Sequence, residues 1–153
     1  MERKDLKLDF VGVEEALLTE GICASLTGGG SMAPLFKTHR DIVIVERLSS
    51  PPRKYDVVLY KLGEDFVLHR VIGYDKKADK YIIRGDNTFV KEYIPSGQII
   101  ARLSAFRRKS AYKTVDALSY RIYSRLWHFI YPIRFLFHKL KVLLSKIKHS
   151  IKK

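Results

Sequence analysis

Between Ile22 and Leu103 the apolar residues fall into short runs closed by turn formers, and this spacing confines the chain to a β-rich fold. The runs Ile22–Thr27, Asp41–Glu46, Asp56–Lys61, Phe66–Ile72, Lys80–Arg84 and Gln98–Leu103 are rich in Val, Ile, Leu and Tyr, side chains that mostly suit a pleated, half-buried surface. Gly28-Gly29-Gly30, Ser49-Ser50-Pro51-Pro52 and Gly85-Asp86-Asn87 punctuate them, and Gly63 marks a hairpin between the third and fourth runs. The expected fold class is mainly β, a small twisted antiparallel unit. Residues 9–20 suit a short helix ahead of it, with Asp9 as cap, Val11, Val13, Ala16, Leu17 and Leu18 as the apolar side, and Gly21 as terminator.

Charge divides the chain in two. Residues 1–101 carry 15 Lys/Arg against 15 Asp/Glu, whereas residues 102–153 carry 14 Lys/Arg against Asp116 alone. The whole net charge of +13 therefore belongs to the last third. A neutral front and a basic tail indicate a globular unit with a separate electrostatic attachment device. The lone Cys23 cannot form an internal disulfide and reads as a small buried hydrophobe. The first residues, Met1-Glu2-Arg3-Lys4-Asp5, are charged and lack the apolar run of a signal peptide.

From about Asp116 the period lengthens. Leu118, Ile122, Leu126, Phe129, Ile130, Ile133, Leu136, Phe137, Leu140, Leu143, Leu144 and Ile147 recur at spacings of three and four, as on a helix face. Pro132 should kink or split this helix. Its frequent arginines and lysines exclude a spanning segment, which needs about 18 nearly uncharged residues. Trp127, Phe129, Tyr131, Phe135 and Phe137 among those cations suit a helix lying in a membrane interface. The competing reading packs the helix on the β unit or on a partner, with a solvated basic face. Nucleic acid is not an expected partner, because the aliphatic and aromatic content fits lipid better.

One constellation carries chemistry. Ser31 leaves the three-glycine run, where backbone can approach a substrate closely and aim its N–H groups. A serine hydroxyl needs a base to take its proton and donors to hold the resulting oxyanion. His69 supplies an imidazole, and Asp86 and Glu92 supply carboxylates.

Gly29-x-Ser31-Met32-x-Pro34 resembles the nucleophile box of the S24/S26 serine peptidases, the group of signal peptidase I and the LexA-like autoproteases. The similarity continues, in the family's order, through Asp41–Val45, Tyr55–Tyr60, Leu68-His69-Arg70-Val71-Ile72 and Arg84-Gly85-Asp86-Asn87, so that it covers roughly residues 22–103. It implies Ser31 as nucleophile. It also implies His69 as general base, as in the Ser–His branch of the signal peptidases, in place of the lysine that the family's bacterial signal peptidases and autoproteases use. Histidine suits the task without the deep burial a lysine base requires. A third group should orient the imidazole and stabilise its charged form. Asp86 matches the motif and Glu92 matches the triad position, and the choice stays open. The oxyanion hole falls to the Ser31 N–H and a second donor near Gly29 or Gly30. Two positions depart from the family: Glu92 where aspartate is typical, and Tyr55 where glycine usually precedes Asp56.

Each of these residues also has a plainer role open to it: Ser31 in a flexible loop, His69 in the core, Asp86-Asn87 as a turn former. Asp41 and Asp56 read as structural. His39, His128, His138 and His149 do not cluster with other ligand types, so no metal site is expected, and no cofactor. The chain divides into a helical lead-in (residues 1–21), a peptidase-like domain (22–106) and a basic amphipathic tail (107–153). The expectation is a serine endopeptidase that cleaves a leader, signal or precursor peptide through an acyl-enzyme. Residues 116–153 would hold it on an anionic membrane surface, at the cytoplasmic face of a bacterial or archaeal cell. The alternative is a catalytically inactive β domain serving as a membrane-bound peptide- or partner-binding module.

Overall fold

The structure, a computed structural model, describes residues 12–63 and 65–151. It is mixed α/β rather than mainly β: one eight-stranded antiparallel sheet followed by two C-terminal helices. Helix α1 (Val13–Thr19) opens the described chain, and the proposed cap Asp9 lies outside the described residues. Strands β1 (Ile22–Leu26), β2 (Ile42–Arg47), β3 (Val57–Leu62), β4 (Asp65–Asp75) and β5 (Lys80–Arg84) occupy the expected runs to within a few residues. Two short strands come from stretches without a strand signal: β6 (Glu92–Pro95) and, after β7 (Ile99–Arg108), β8 (Ala111–Thr114). All four β8 residues are exposed, so it shows no inside–outside alternation to read.

The strand order is β1-β2-β7-β3-β4-β5-β6, with β8 also on β7. The sheet therefore continues to Thr114, past the domain boundary expected at residue 106. Two cores form, one against each face. Val57, Leu59, Leu68, Leu103 and Phe106 join Met32, Leu35, Phe36 and Tyr120 in the first, while Val58, Tyr60, Val67, Val71, Ile83 and Ile94 form the second. Because successive strand residues face opposite ways, His69 stands on the second face and its neighbour Arg70 on the first.

Helix α2 (Leu118–Phe129) and helix α3 (Tyr131–Ile151) follow the sheet. The break falls at Ile130, as Pro132 requires: proline sits in the first turn of α3, where its missing N–H removes no helix bond. The tail is not wholly separate from the β unit. Tyr120 is buried in the first core, and α2 together with the first turns of α3 contacts the β5–β6 connection. The packed-helix reading thus describes the near half of the tail.

Candidate active site

Ser31 lies in the loop between β1 and β2. Thr27, fully buried, ties the neck of that loop: its N–H and hydroxyl both donate to the Asp41 carbonyl, and the hydroxyl also reaches Lys37 O at 2.9 Å. The Asp41 carboxylate is also buried and accepts from Lys37 N at 2.8 Å and from the Arg40 guanidinium at 2.6 and 2.7 Å. Burial works against that carboxylate's charge, and the Arg40 and Lys37 donors outweigh it, so its pKa lies below the usual value. Asp41 is structural, as expected. Met32, Leu35 and Phe36 anchor the loop in the first core.

The peptide planes around Ser31 are fixed by their carbonyls. Gly30 O accepts from Ala33 N at 3.1 Å and from Asn87 Nδ2 at 3.3 Å, and Gly29 O accepts from Thr38 Oγ1 at 2.5 Å. A planar trans peptide points its N–H opposite its C=O. The N–H groups of Gly30 and Ser31 are thereby turned away from those partners, an orientation an oxyanion donor needs.

His69 comes from the middle of β4, opposite Val58 on β3, and is only 1% exposed. Gly85, just past the end of β5, is where the two residues meet. A Cβ added there would lie 2.7 Å from Ser31 O, 3.0 Å from His69 Nε2 and 3.1 Å from His69 Cδ2. Asn87 N also donates to Ser31 O at 2.7 Å. The Gly-Asp-Asn turn is thus the bracket that brings the serine loop up to the imidazole. Ser31 Oγ and His69 Nε2 are both buried without a hydrogen-bond partner among the described residues, and so are not bonded to each other. Catalytic hydrogen bonds in free enzymes are often long and tighten only with substrate. Gly85→Ala is expected to push the Ser31 backbone and the His69 ring apart and to destabilise the fold by about 1–3 kcal/mol, as overpacking does. A urea midpoint equal to wild type would show that the bracket has slack.

The two candidate acids part company. Glu92 pairs with Ile83 in the β5–β6 ladder, and Ile83 pairs with Val71, so Glu92 stands on the same face as His69. Its Oε2 lies 3.5 Å from His69 Nδ1. Asp86 does not serve as the partner of the imidazole. Both of its oxygens are held by Arg70, at 2.7 Å each, and Tyr123 donates to Oδ2 at 3.0 Å. The cause is the strand alternation that puts Arg70 on the opposite face from His69. Burial opposes the Arg70 charge, but Asp86 and Tyr120 more than offset it and hold the guanidinium pKa above its ordinary value. Burial, and next the Asp86 carboxylate, push the Tyr123 phenol up.

Three groups that the sequence does not assign to the site join it, and one of them, Trp127, is expected from the sequence in a membrane interface instead. The Asp86 carbonyl accepts from Trp127 Nε1 at 2.8 Å and from Arg134 at 2.9 Å, so both C-terminal helices grip the Gly85-Asp86-Asn87 turn. The third is Tyr60, fully buried on β3, whose hydroxyl lies 3.0 Å from His69 Nδ1 and donates to Glu92 Oε2. The signal for Tyr60 was the hairpin register: pairing Leu62 with Asp65 sets Val58 opposite His69 and Tyr60 one step along the same face. Tyr55 adopts a left-handed backbone, φ 81°, which explains why glycine suits that position. Its ring packs edge-on against His128 of α2, centroids 5.4 Å apart. No protein-family model matches the chain, and no curated protein matches it.

Proposed function

We propose that the protein is a serine endopeptidase resembling the signal-peptidase branch of the S24/S26 group, working at a membrane surface. The observation that carries this reading is a buried serine hydroxyl and a buried imidazole nitrogen, neither with a hydrogen-bond partner among the described residues, on two residues whose backbone carbonyl (Ser31) and ring (His69) meet at Gly85. In this reading Ser31 attacks the scissile carbonyl while His69 Nε2 takes its proton. The oxyanion sits against the N–H groups of Ser31 and Gly30, and His69 then protonates the leaving amine. Water repeats the sequence to release the acyl group. Among the described residues β1 pairs only with β2, so an extended peptide could lie along its other edge and run toward Ser31. A fluorophosphonate probe tests the reading directly. Wild type should be labelled at Ser31 and Ser31→Ala should not; absence of labelling in wild type would favour the non-catalytic binding module, which the missing Ser31–His69 hydrogen bond also suits.

The membrane part of the proposal rests on the outer face of α3. Ile133, Leu136, Phe137, Leu140, Leu143, Leu144 and Ile147 are all exposed and fall on one stripe at the helical period. Lys139 and Lys146 border it on one side, Lys141 and Lys148 on the other, the arrangement in which lysine stems reach past apolar surface to anionic headgroups. No described helix is long and apolar enough to cross a membrane. Each buried Leu contributes about 1.5–3 kcal/mol and each cation near an anionic leaflet about 1 kcal/mol. Leu140→Glu with Leu144→Glu should therefore weaken binding to phosphatidylserine-containing vesicles by about 100-fold or more. Unchanged co-sedimentation would refute the surface assignment. These outward substitutions are a cleaner test than deleting residues 116–153, which would also strip Tyr120 from the core.

A further inference from the structure

We propose that Tyr60 is the positioning residue of the site: it selects the tautomer of His69 and connects the imidazole to Glu92. The inference rests on the peptidase reading of Ser31 and His69. It starts from a count of protons. A phenol has one O–H and can also accept; an ionised carboxylate only accepts. The Tyr60 hydroxyl donates to Glu92 Oε2, so its proton is committed there. Its contact with His69 Nδ1, at 3.0 Å, must then be one in which the ring donates and the phenol oxygen accepts. Nδ1 therefore carries the proton of the neutral imidazole. Nε2, the nitrogen that approaches Ser31 beside Gly85, keeps its lone pair and is free to act as base.

The direct Glu92–His69 contact, at 3.5 Å, is longer than a good hydrogen bond, whereas the path through Tyr60 is hydrogen-bonded at both ends. Tyr60 is 0% exposed and packed among Val58, Val67 and Val71, so its ring cannot swing to another partner without opening that core. No proton travels along the chain. When Nε2 takes the Ser31 proton, the imidazolium keeps its Nδ1–H bonded to the Tyr60 oxygen, the phenol keeps its own proton on Glu92, and the carboxylate stabilises the new positive charge. This also accounts for a glutamate at that position: the acid reaches the Tyr60 hydroxyl instead of contacting the ring.

The test combines a structural and a kinetic readout on the full chain. In wild type, nitrogen-15 NMR of the neutral His69 ring should show a protonated Nδ1 and an unprotonated Nε2. Tyr60→Phe should release that preference toward a mixture and slow Ser31 acylation by fluorophosphonate about 10- to 100-fold, part of the roughly 10²–10⁴ that a positioned base supplies. Glu92→Gln should slow it similarly, and the double variant should be no slower than the slower single one, because the two act in series. A wild-type ring protonated at Nε2 overturns the inference, as does a Tyr60→Phe protein with unchanged tautomer and acylation rate. Should Tyr60→Phe not fold, the wild-type tautomer decides alone. Absence of Ser31 labelling in wild type defeats the peptidase reading instead, and the NMR result separates the two failures.

Discussion

Ser31→Ala should abolish peptide cleavage while leaving the protein as stable as before, or slightly more so. The hydroxyl has no hydrogen-bond partner among the described residues, and Ser31 is only 7% exposed. An unsatisfied buried polar group costs roughly 1–3 kcal/mol, so replacing it with a methyl group carries no stability penalty. Activity should nevertheless fall by about 10⁴- to 10⁶-fold, since without the nucleophile only binding and oxyanion stabilisation remain. His69→Gln should remove activity to a similar extent. It will also destabilise the fold, because the ring is buried and its loss removes the Nδ1 contact to the Tyr60 hydroxyl. The measurement is turnover of a precursor that accumulates in cells lacking the protein, alongside thermal melting. Undiminished turnover by either variant contradicts the mechanism.

The second large effect belongs to the Arg70–Asp86 pair. Removing one partner of a buried ion pair strands the other charge, at about 3–5 kcal/mol. Both side chains here are at most 3% exposed. Arg70→Met or Asp86→Asn should each shift the urea midpoint by an amount of that order, and Arg70→Met should also lose the bond to Tyr55 O at 2.9 Å. The double variant Arg70→Met with Asp86→Asn should be less destabilised than the two singles added together, since neither charge is then orphaned. Asp86→Asn carries a further discrimination. Its carboxylate holds Arg70 and Tyr123 and not the imidazole, so the molecules that still fold should retain most of their acylation rate. A folded Asp86→Asn protein with no acylation activity would return Asp86 to the role of orienting acid.

How much of this was visible beforehand follows from how local each interaction is. The strands from β1 to β5 and β7 lie where alternation and turn residues mark them. Pro132 divides the tail helix because its ring acts within one turn. Asp41 could be read as structural because it bonds within its own loop, to Arg40 and Lys37. Strand β6 carries no strand signal in its sequence, and the choice between the two acids depends on that strand. Glu92 faces His69 only through a pairing register that runs from β6 to β5 to β4. A slip of one residue in either ladder would turn it to the other face.

The tail shows the same division within one segment. Its apolar period and its cations are properties of the chain and mark an amphipathic helix without reference to anything else. They do not say which part of that helix meets protein. Trp127 and Arg134 belong to the site because the helices cross the Asp86 carbonyl, and only the assembled fold supplies that carbonyl. What the sequence by itself determined is therefore the set of elements and the short list of chemical groups, since both depend on neighbours a few residues apart. The tertiary structure alone decided which carboxylate faces the imidazole, that a buried tyrosine stands between them, and that two helices clasp the turn beside the serine. Those contacts join residues from nine to 48 positions apart, and their geometry exists only once the strands have paired and the helices have docked.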